Sequence, residues 1–169
     1  MEESFGTITE FAVALAGFSA VAIALSREPG TMAPLDSFRS LNLLCCSLGS
    51  AFGSTFVPIG ASFGVSGPAL WRGTSVGVLL IVILCVAIPL SLTRRMSPAD
   101  RSQLSGTLWV LLIGGNLILT GLLLSNLAEL FGAPGPGPIM VSLVWLLFFS
   151  ALLFVRILVN RPGQAGPPE

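Results

Sequence analysis

Residues 10–27 read EFAVALAGFSAVAIALSR, and this stretch decides what kind of object the chain is. A helix rises 1.5 Å per residue, so crossing about 30 Å of hydrocarbon takes roughly 20 apolar residues. The stretch is about that long, with the carboxylate of Glu10 near its start and Arg27 at its exit. Wound as a helix, it sorts into two faces. Phe11, Leu15, Phe18, Ala22 and Leu25 make a mostly bulky stripe. Glu10, Ala14, Gly17, Val21 and Ala24 make a mostly small one, with Ala12, Ala16 and Ala20 close by. Small residues let another helix approach closely in lipid, so the Glu10 side is expected to face protein.

Composition extends that reading to the whole chain. Of 169 residues, 53% are hydrophobic and 9% charged, and mean hydropathy is +0.91. A soluble domain carries about 25% charged residues. The charge here is too sparse to cover a water-facing surface, so most of the surface must face lipid, and the chain reads as an integral membrane protein. Its net charge of zero gives no field that would attract nucleic acid. The basic residues are all arginine, and Lys, His and Tyr are absent. An Ala/Gly/Arg/Pro-rich, lysine-free chain suggests a GC-rich bacterial gene, and therefore a bacterial cytoplasmic (inner) membrane. A cleavable signal peptide begins with positive charge, whereas Glu2 and Glu3 stand here. The first helix is expected to stay uncleaved, with its N-terminus outside.

Five segments are long enough to span: 5–26, 38–60, 73–92, 107–130 and 139–159. The second is the least obvious, because LNLLCCSLGSAFGSTFVPIG is rich in Gly and Ser. The arginines argue for it. With five spans and the N-terminus outside, Arg27, Arg39, Arg94, Arg95, Arg101 and Arg161 fall in cytoplasmic segments, Arg156 lies near the same interface, and Arg72 alone stays outside. Removing the second span would move Arg94, Arg95 and Arg101 outside, against the positive-inside bias. The expected fold is an all-α integral membrane bundle of five transmembrane helices, N-terminus outside and C-terminus cytoplasmic. It forms one domain over residues 1–160, and the polar, Pro/Gly-rich tail 161–169 is expected to be disordered.

The segments between spans are short. EPGTMAPLD (28–36) should turn, and RRMSPAD (94–100) places Ser97, Pro98 and Asp100 as a helix start. Met32-Ala33-Pro34-Leu35-Asp36 and Met96-Ser97-Pro98-Ala99-Asp100 share a pattern. It fits either duplication of a helix hairpin or the ordinary use of Pro and Asp where helices begin. PIGASFGVSGPALWR (58–72) reads as an outer loop anchored by Trp71 and Arg72, and FGAPGPGP (131–138) as a second one, stiffened by proline.

On the second span Asn42, Cys46, Gly49, Gly53 and Gly60 share a face, and Gly49 and Gly53 form a GxxxG pair. That face packs either inside one subunit or between copies. On the fourth span Gly114, Gly121, Ser125 and Glu129 align, while Asn116 and Thr120 lie elsewhere. Two polar faces suit a helix central to the bundle. The last span, IMVSLVWLLFFSALLFVRIL, has no glycine and many bulky residues, so it is expected to be the most lipid-exposed.

An acid in lipid is costly unless neutralised, paired or hydrated, which makes Glu10 the residue of most interest. Arg72 and Glu129 are placed at the same outer level as Glu10. Two arrangements follow: a Glu10–Arg72 ion pair tying two helices together, or a proton or cation site using Glu10, Glu129 and the Asn126 amide. Asn116 falls near the midplane, where an amide hydrogen-bonds across helices for about 1 kcal/mol or lines a polar path. Arg156 can snorkel to headgroups.

Much chemistry is excluded. Without histidine there is no His-based acid–base step and no usual metal ligand. The only aspartates, Asp36 and Asp100, lie at helix starts, and no GxSxG, Walker loop or CxxC occurs. Cys45, Cys46 and Cys85 lie in apolar stretches and read as packing residues, with a vicinal Cys45–Cys46 redox pair as the alternative. No catalytic residue, cofactor or metal is expected. The opening EFAVALAGFSAVAIAL with Arg27 at its exit, together with the Asp36 to Arg39 region, resembles a broad group of short multi-pass bacterial membrane proteins of unassigned function. That resemblance implies the class and the topology and brings no site residue with it.

The expected function is helix association in the membrane, as a homo-oligomer or as a subunit of a larger membrane complex. Lipids and another copy or another membrane subunit are the partners. Ala14, Gly17, Gly49, Gly53, Gly114 and Gly121 supply the contacts. The alternatives are a small channel or transporter with a polar path past Glu10, Asn116 and Asn42, and a membrane effector triggered by a partner.

Overall fold

Serine and glycine, which make 38–60 the least obvious span, are what place it at the centre. A computed structural model of the chain describes residues 2–25, 34–94, 96, 98, 106–130 and 132–159. These form five long helices: α1 (Glu2–Leu25), α2 (Pro34–Ser62), α3 (Gly67–Thr93), α4 (Gly106–Leu127) and α5 (Gly137–Val159). Each is long and apolar enough to cross a membrane. Arg27, Arg95, Arg101, Arg161, parts of the two Pro/Asp loop motifs and the tail 161–169 lie outside the described residues.

Helices α2, α3, α4 and α5 close a ring in that order, and α1 lies outside it in the groove between α2 and α5. The α2–α5 contact is antiparallel and nearly symmetric. The Ser50 hydroxyl of α2 donates to the Leu143 carbonyl of α5 at 3.0 Å. Seven residues along, the Ser150 hydroxyl of α5 donates to the Leu43 carbonyl of α2 at 3.0 Å. In lipid, where apolar side chains gain little by leaving one apolar surface for another, such bonds and close packing are what join helices. Gly49 and Gly53 supply the close packing. A Cβ on Gly49 would meet Ile81 of α3 at 2.7 Å, and one on Gly53 would meet Leu143 of α5 at 2.6 Å.

Helix α1 packs through Phe5, Ile8, Ala12, Ala16 and Ser19, all buried. Thr9 and Ser54 share a hydroxyl–hydroxyl hydrogen bond of 2.6 Å across the α1–α2 contact. The side that packs within the chain is therefore the Ala12–Ala16 line, and the neighbouring Glu10 stripe points outward.

Two expectations about position are corrected. The last span is not the most lipid-exposed: α5 touches all four other helices, and Ile139, Leu143, Leu146, Phe149 and Leu153 are buried. Its bulk fills the ring, and glycine on its neighbours makes the room. The fourth span is not central: α4 packs mainly on α3 and α5, meeting α2 where Trp109 lies against Phe38, while Gly114 and Gly121 look out to open space. The segment 58–72 is also not one loop. α2 runs to Ser62 and is closed by Gly64 in the left-handed conformation (φ 76°). There Val65 N–H donates to the Gly60 carbonyl at 3.1 Å and Gly64 N–H to the Ala61 carbonyl at 2.9 Å. α3 starts directly afterwards behind Ser66, with proline in its first turn, so Trp71 and Arg72 are helical.

Candidate functional site

The polar residues expected to form a site fall into three groups: a clamp at the end of the ring where α1 begins, a set along the ring axis, and Glu10 on the outside. In the clamp, Arg72 of α3 pairs with Glu129 beyond the end of α4. One turn inward, the Asn126 amide donates to Ser75 Oγ of α3 at 2.9 Å and to the Gly135 carbonyl at 3.1 Å, and its Oδ1 accepts from Gly135 N–H at 3.1 Å. Asn126 thereby ties α3, α4 and the α4–α5 connection together. Its donor and acceptor are both engaged locally, and Glu10 stands on the outer side of α1 away from α4, so the three groups expected to form a cation site are not brought together. The expected Glu10–Arg72 pair is replaced by Arg72–Glu129.

The register shows why Arg72 and Glu10 do not meet. Thr9 is tied to Ser54, so Glu10 lies at the Ser54 level of α2. The Gly60–Leu70 and Phe56–Gly77 approaches put Arg72 near the level of Ile59. Five residues of helix separate the two levels, which is about 7 Å. The Glu10 carboxylate is exposed on the outer face of α1 and has no ion-pair or side-chain hydrogen-bond partner among the described residues.

Along the axis, counting ten residues from the Ser75–Asn126 contact on each antiparallel helix brings Cys85 level with Asn116. Both lie on buried stripes, Asn116 only 3% exposed. The Asn116 amide donates to the Leu112 carbonyl at 2.6 Å within its own helix, while its Oδ1 and the Trp145 indole N–H are buried without a partner among the described residues. Asn42 is buried on α2, and its Oδ1 accepts from the Cys46 thiol at 3.6 Å. At the other end of the ring a cleft of about 20 Å³ lies between α2, α4 and α5, lined by Phe38, Arg39, Asn42, Trp109, Leu112 and Phe149. It has room for about one water. Between these groups the axis is filled by Val78, Val82, Leu119, Leu123, Leu143 and Leu146, each buried. Asn42 and Asn116 thus share the interior, and Glu10 does not belong to it.

Several residues that matter here were not singled out from the sequence. Ser50, Ser54, Ser75 and Ser150 carry the interhelical hydrogen bonds. Gly115 lies so close to Trp145 that a Cβ there would overlap the indole ring. The spacing Leu43/Ser50 against Leu143/Ser150 could have pointed to the serines; nothing local separates Gly115 from Gly114.

No protein-family model matches this chain, and no curated protein or solved structure matches it.

Proposed function

We propose that the protein works by helix association in a membrane, as a homo-oligomer or as a subunit of a larger complex, with no catalysis of its own. The outward face of α1 is the contact. The observation that carries this is Glu10. It stands on a stripe with Ala14, Gly17, Val21 and Ala24, all exposed, about 7 Å deeper than the Arg72–Glu129 pair. An acidic side chain facing hydrocarbon costs up to about 3 kcal/mol at a helix centre. Covering it with a second helix supplies hydrogen bonds for the carboxylate, and the small residues let the backbones come close. Gly114 and Gly121 offer a second outward small face on α4.

The orientation that goes with this reading has the N-terminus outside and the C-terminus cytoplasmic, in a bacterial inner membrane. Arg39, Arg94 and Arg156 gather at the end of the bundle opposite Arg72, which is the side the positive-inside bias assigns to the cytoplasm. The resemblance of the first helix to short multi-pass bacterial proteins agrees with it.

Native mass measurement in mild detergent tests the reading. The wild type is expected as a multiple of its 17.6 kDa mass or bound to a partner. Gly17→Leu should separate it without unfolding it, since nothing among the described residues lies within 4 Å of a Cβ at Gly17. Glu10→Gln should loosen the assembly. A wild type that runs alone as a monomer and carries no partner would remove this reading. A conduit past Asn42 and Asn116 is the second reading, supported by their common place inside the ring. It predicts ion or proton flux in liposomes that Asn116→Leu reduces and Glu10→Gln leaves alone.

A further inference from the structure

One face of α5 stays open along the second half of the helix. Phe148, Val155 and Val159 recur there at helical spacing, and each is more than half exposed. With Ala151, Leu152 and Arg156 they border a cavity of about 620 Å³ that opens on the surface. A second cavity of about 300 Å³ lies between Ile8 and Phe11 of α1 and Val144 and Leu147 of α5. Phe148 and Ala151 border both, so the two make one furrow. α1 walls its first part, and no described residue of α1 lines the part that ends at Arg156.

Two features of the furrow say what fills it. The first is charge. Arg156 stands in the last turn of α5 and borders the cavity. Its guanidinium has no ion-pair or hydrogen-bond partner among the described residues. The carboxylates whose surroundings are described, Glu3, Glu10 and Glu129, all lie toward the other end of the bundle. The second feature is length. Phe148 stands midway along α5 (Gly137–Val159), eight residues from Arg156 or about 12 Å. One leaflet is about half of the 30 Å hydrocarbon core, and an arginine stem reaches a little further toward the headgroups. The furrow therefore runs from mid-membrane depth to the headgroup level of one leaflet. A packed helix suits it poorly. Its walls are bulky where helix contacts in lipid favour small residues, and a helix laid over Arg156 would cover an unpaired cation.

We propose that the furrow binds a single anionic phospholipid. An acyl chain lies against Val155, Ala151 and Phe148 with its end at Phe11 of α1, and the phosphate pairs with Arg156. A guanidinium meets phosphate oxygens with two parallel hydrogen bonds, which hold the headgroup in one place. A net negative headgroup is preferred to a zwitterionic one, because no described carboxylate stands nearby to receive an ammonium group. The site depends on the helices lying in a membrane and is independent of the Glu10 face of α1.

The test is native mass measurement of the whole protein, stripped of lipid in mild detergent and then given phosphatidylglycerol or phosphatidylcholine with the same acyl chains. The wild type should hold a single phosphatidylglycerol, roughly tenfold or more tighter than phosphatidylcholine. Arg156→Gln, at the end of the bundle and away from its packed core, should bring the two lipids to equal affinity, and Arg156→Lys should keep part of the preference. Ala151→Trp, which fills the furrow under the chain, should weaken the binding of both lipids. Equal affinity of the wild type for the two lipids, or a preference that survives Arg156→Gln, would overturn the proposal. So would an Ala151→Trp variant that loses self-association and keeps its lipid, since the furrow would then belong to a second copy of the chain.

Discussion

Glu129 holds a left-handed backbone conformation (φ 56°) just past the end of α4, and its carboxylate receives the guanidinium of Arg72 from α3. Leu130 N–H donates to the Ser125 carbonyl at 3.1 Å, so Glu129 fills the position that Gly64 fills at the end of α2. A residue with a Cβ costs roughly 1–2 kcal/mol there. An exposed ion pair contributes about 0–1 kcal/mol, and these side chains are 54% and 43% exposed. The two effects oppose each other and are of similar size.

Glu129→Gly should therefore leave stability within about 1 kcal/mol of wild type, since it removes the strain together with the pair. Glu129→Ala keeps the strain and loses the pair, so it should be the less stable of the two. Thermal unfolding in detergent ranks them; an alanine variant more stable than the glycine variant would contradict this balance.

Asn126 should be the most costly polar residue of the clamp. Asn126→Ala strands the Gly135 N–H and carbonyl and one bond of Ser75, a loss of about 2–3 kcal/mol. Ser75→Ala removes a single bond, at about 1 kcal/mol or less. Because both act through the same contact, the double variant should fall short of the sum, which a double-mutant cycle by steric trapping would measure.

Gly114 and Gly115 are adjacent and should respond oppositely to alanine. Gly115→Ala drives a Cβ into the rigid indole of Trp145 and should destabilise by roughly 1–3 kcal/mol. Gly114→Ala meets nothing within 4 Å and should stabilise the monomer by up to about 1 kcal/mol through helix propensity. Equal unfolding temperatures for the two variants would show that α4 sits differently against α5.

Ser50→Ala and Ser150→Ala should each cost about 0.6 kcal/mol, the average for such bonds in membranes. The two bonds lie seven residues apart along α2 and α5, about 10 Å, so their effects should add. A strongly non-additive double variant would mean that the two helices shift register when one bond is lost.

Of the polar groups, those whose partners are set by backbone register were the hardest to read. Arg72, Glu129 and Glu10 all lie near the same end in sequence order, and nothing in that order separates Glu10 from the other two. The Thr9–Ser54 bond places Glu10 about 7 Å deeper. The glycines show the same limit. A Cβ on Gly49 or Gly53 would run into α3 or α5, whereas one on Gly17, Gly114 or Gly121 would meet nothing within 4 Å among the described residues. A small residue permits a close approach without naming the helix that makes it.

The sequence alone determined that the chain is helical, with five segments each able to cross a membrane, because span length is a local match between apolar run and bilayer thickness. Only the tertiary structure decided that α2 and α5 are central, that α4 stands at the edge and that the Ala12 side of α1 packs while the Glu10 side does not. The reason is physical. In water, apolarity marks the inside of a protein. In hydrocarbon a leucine is equally at ease facing lipid or a neighbouring helix, so the choice of face passes to shape and to a few hydrogen bonds between residues far apart in the chain.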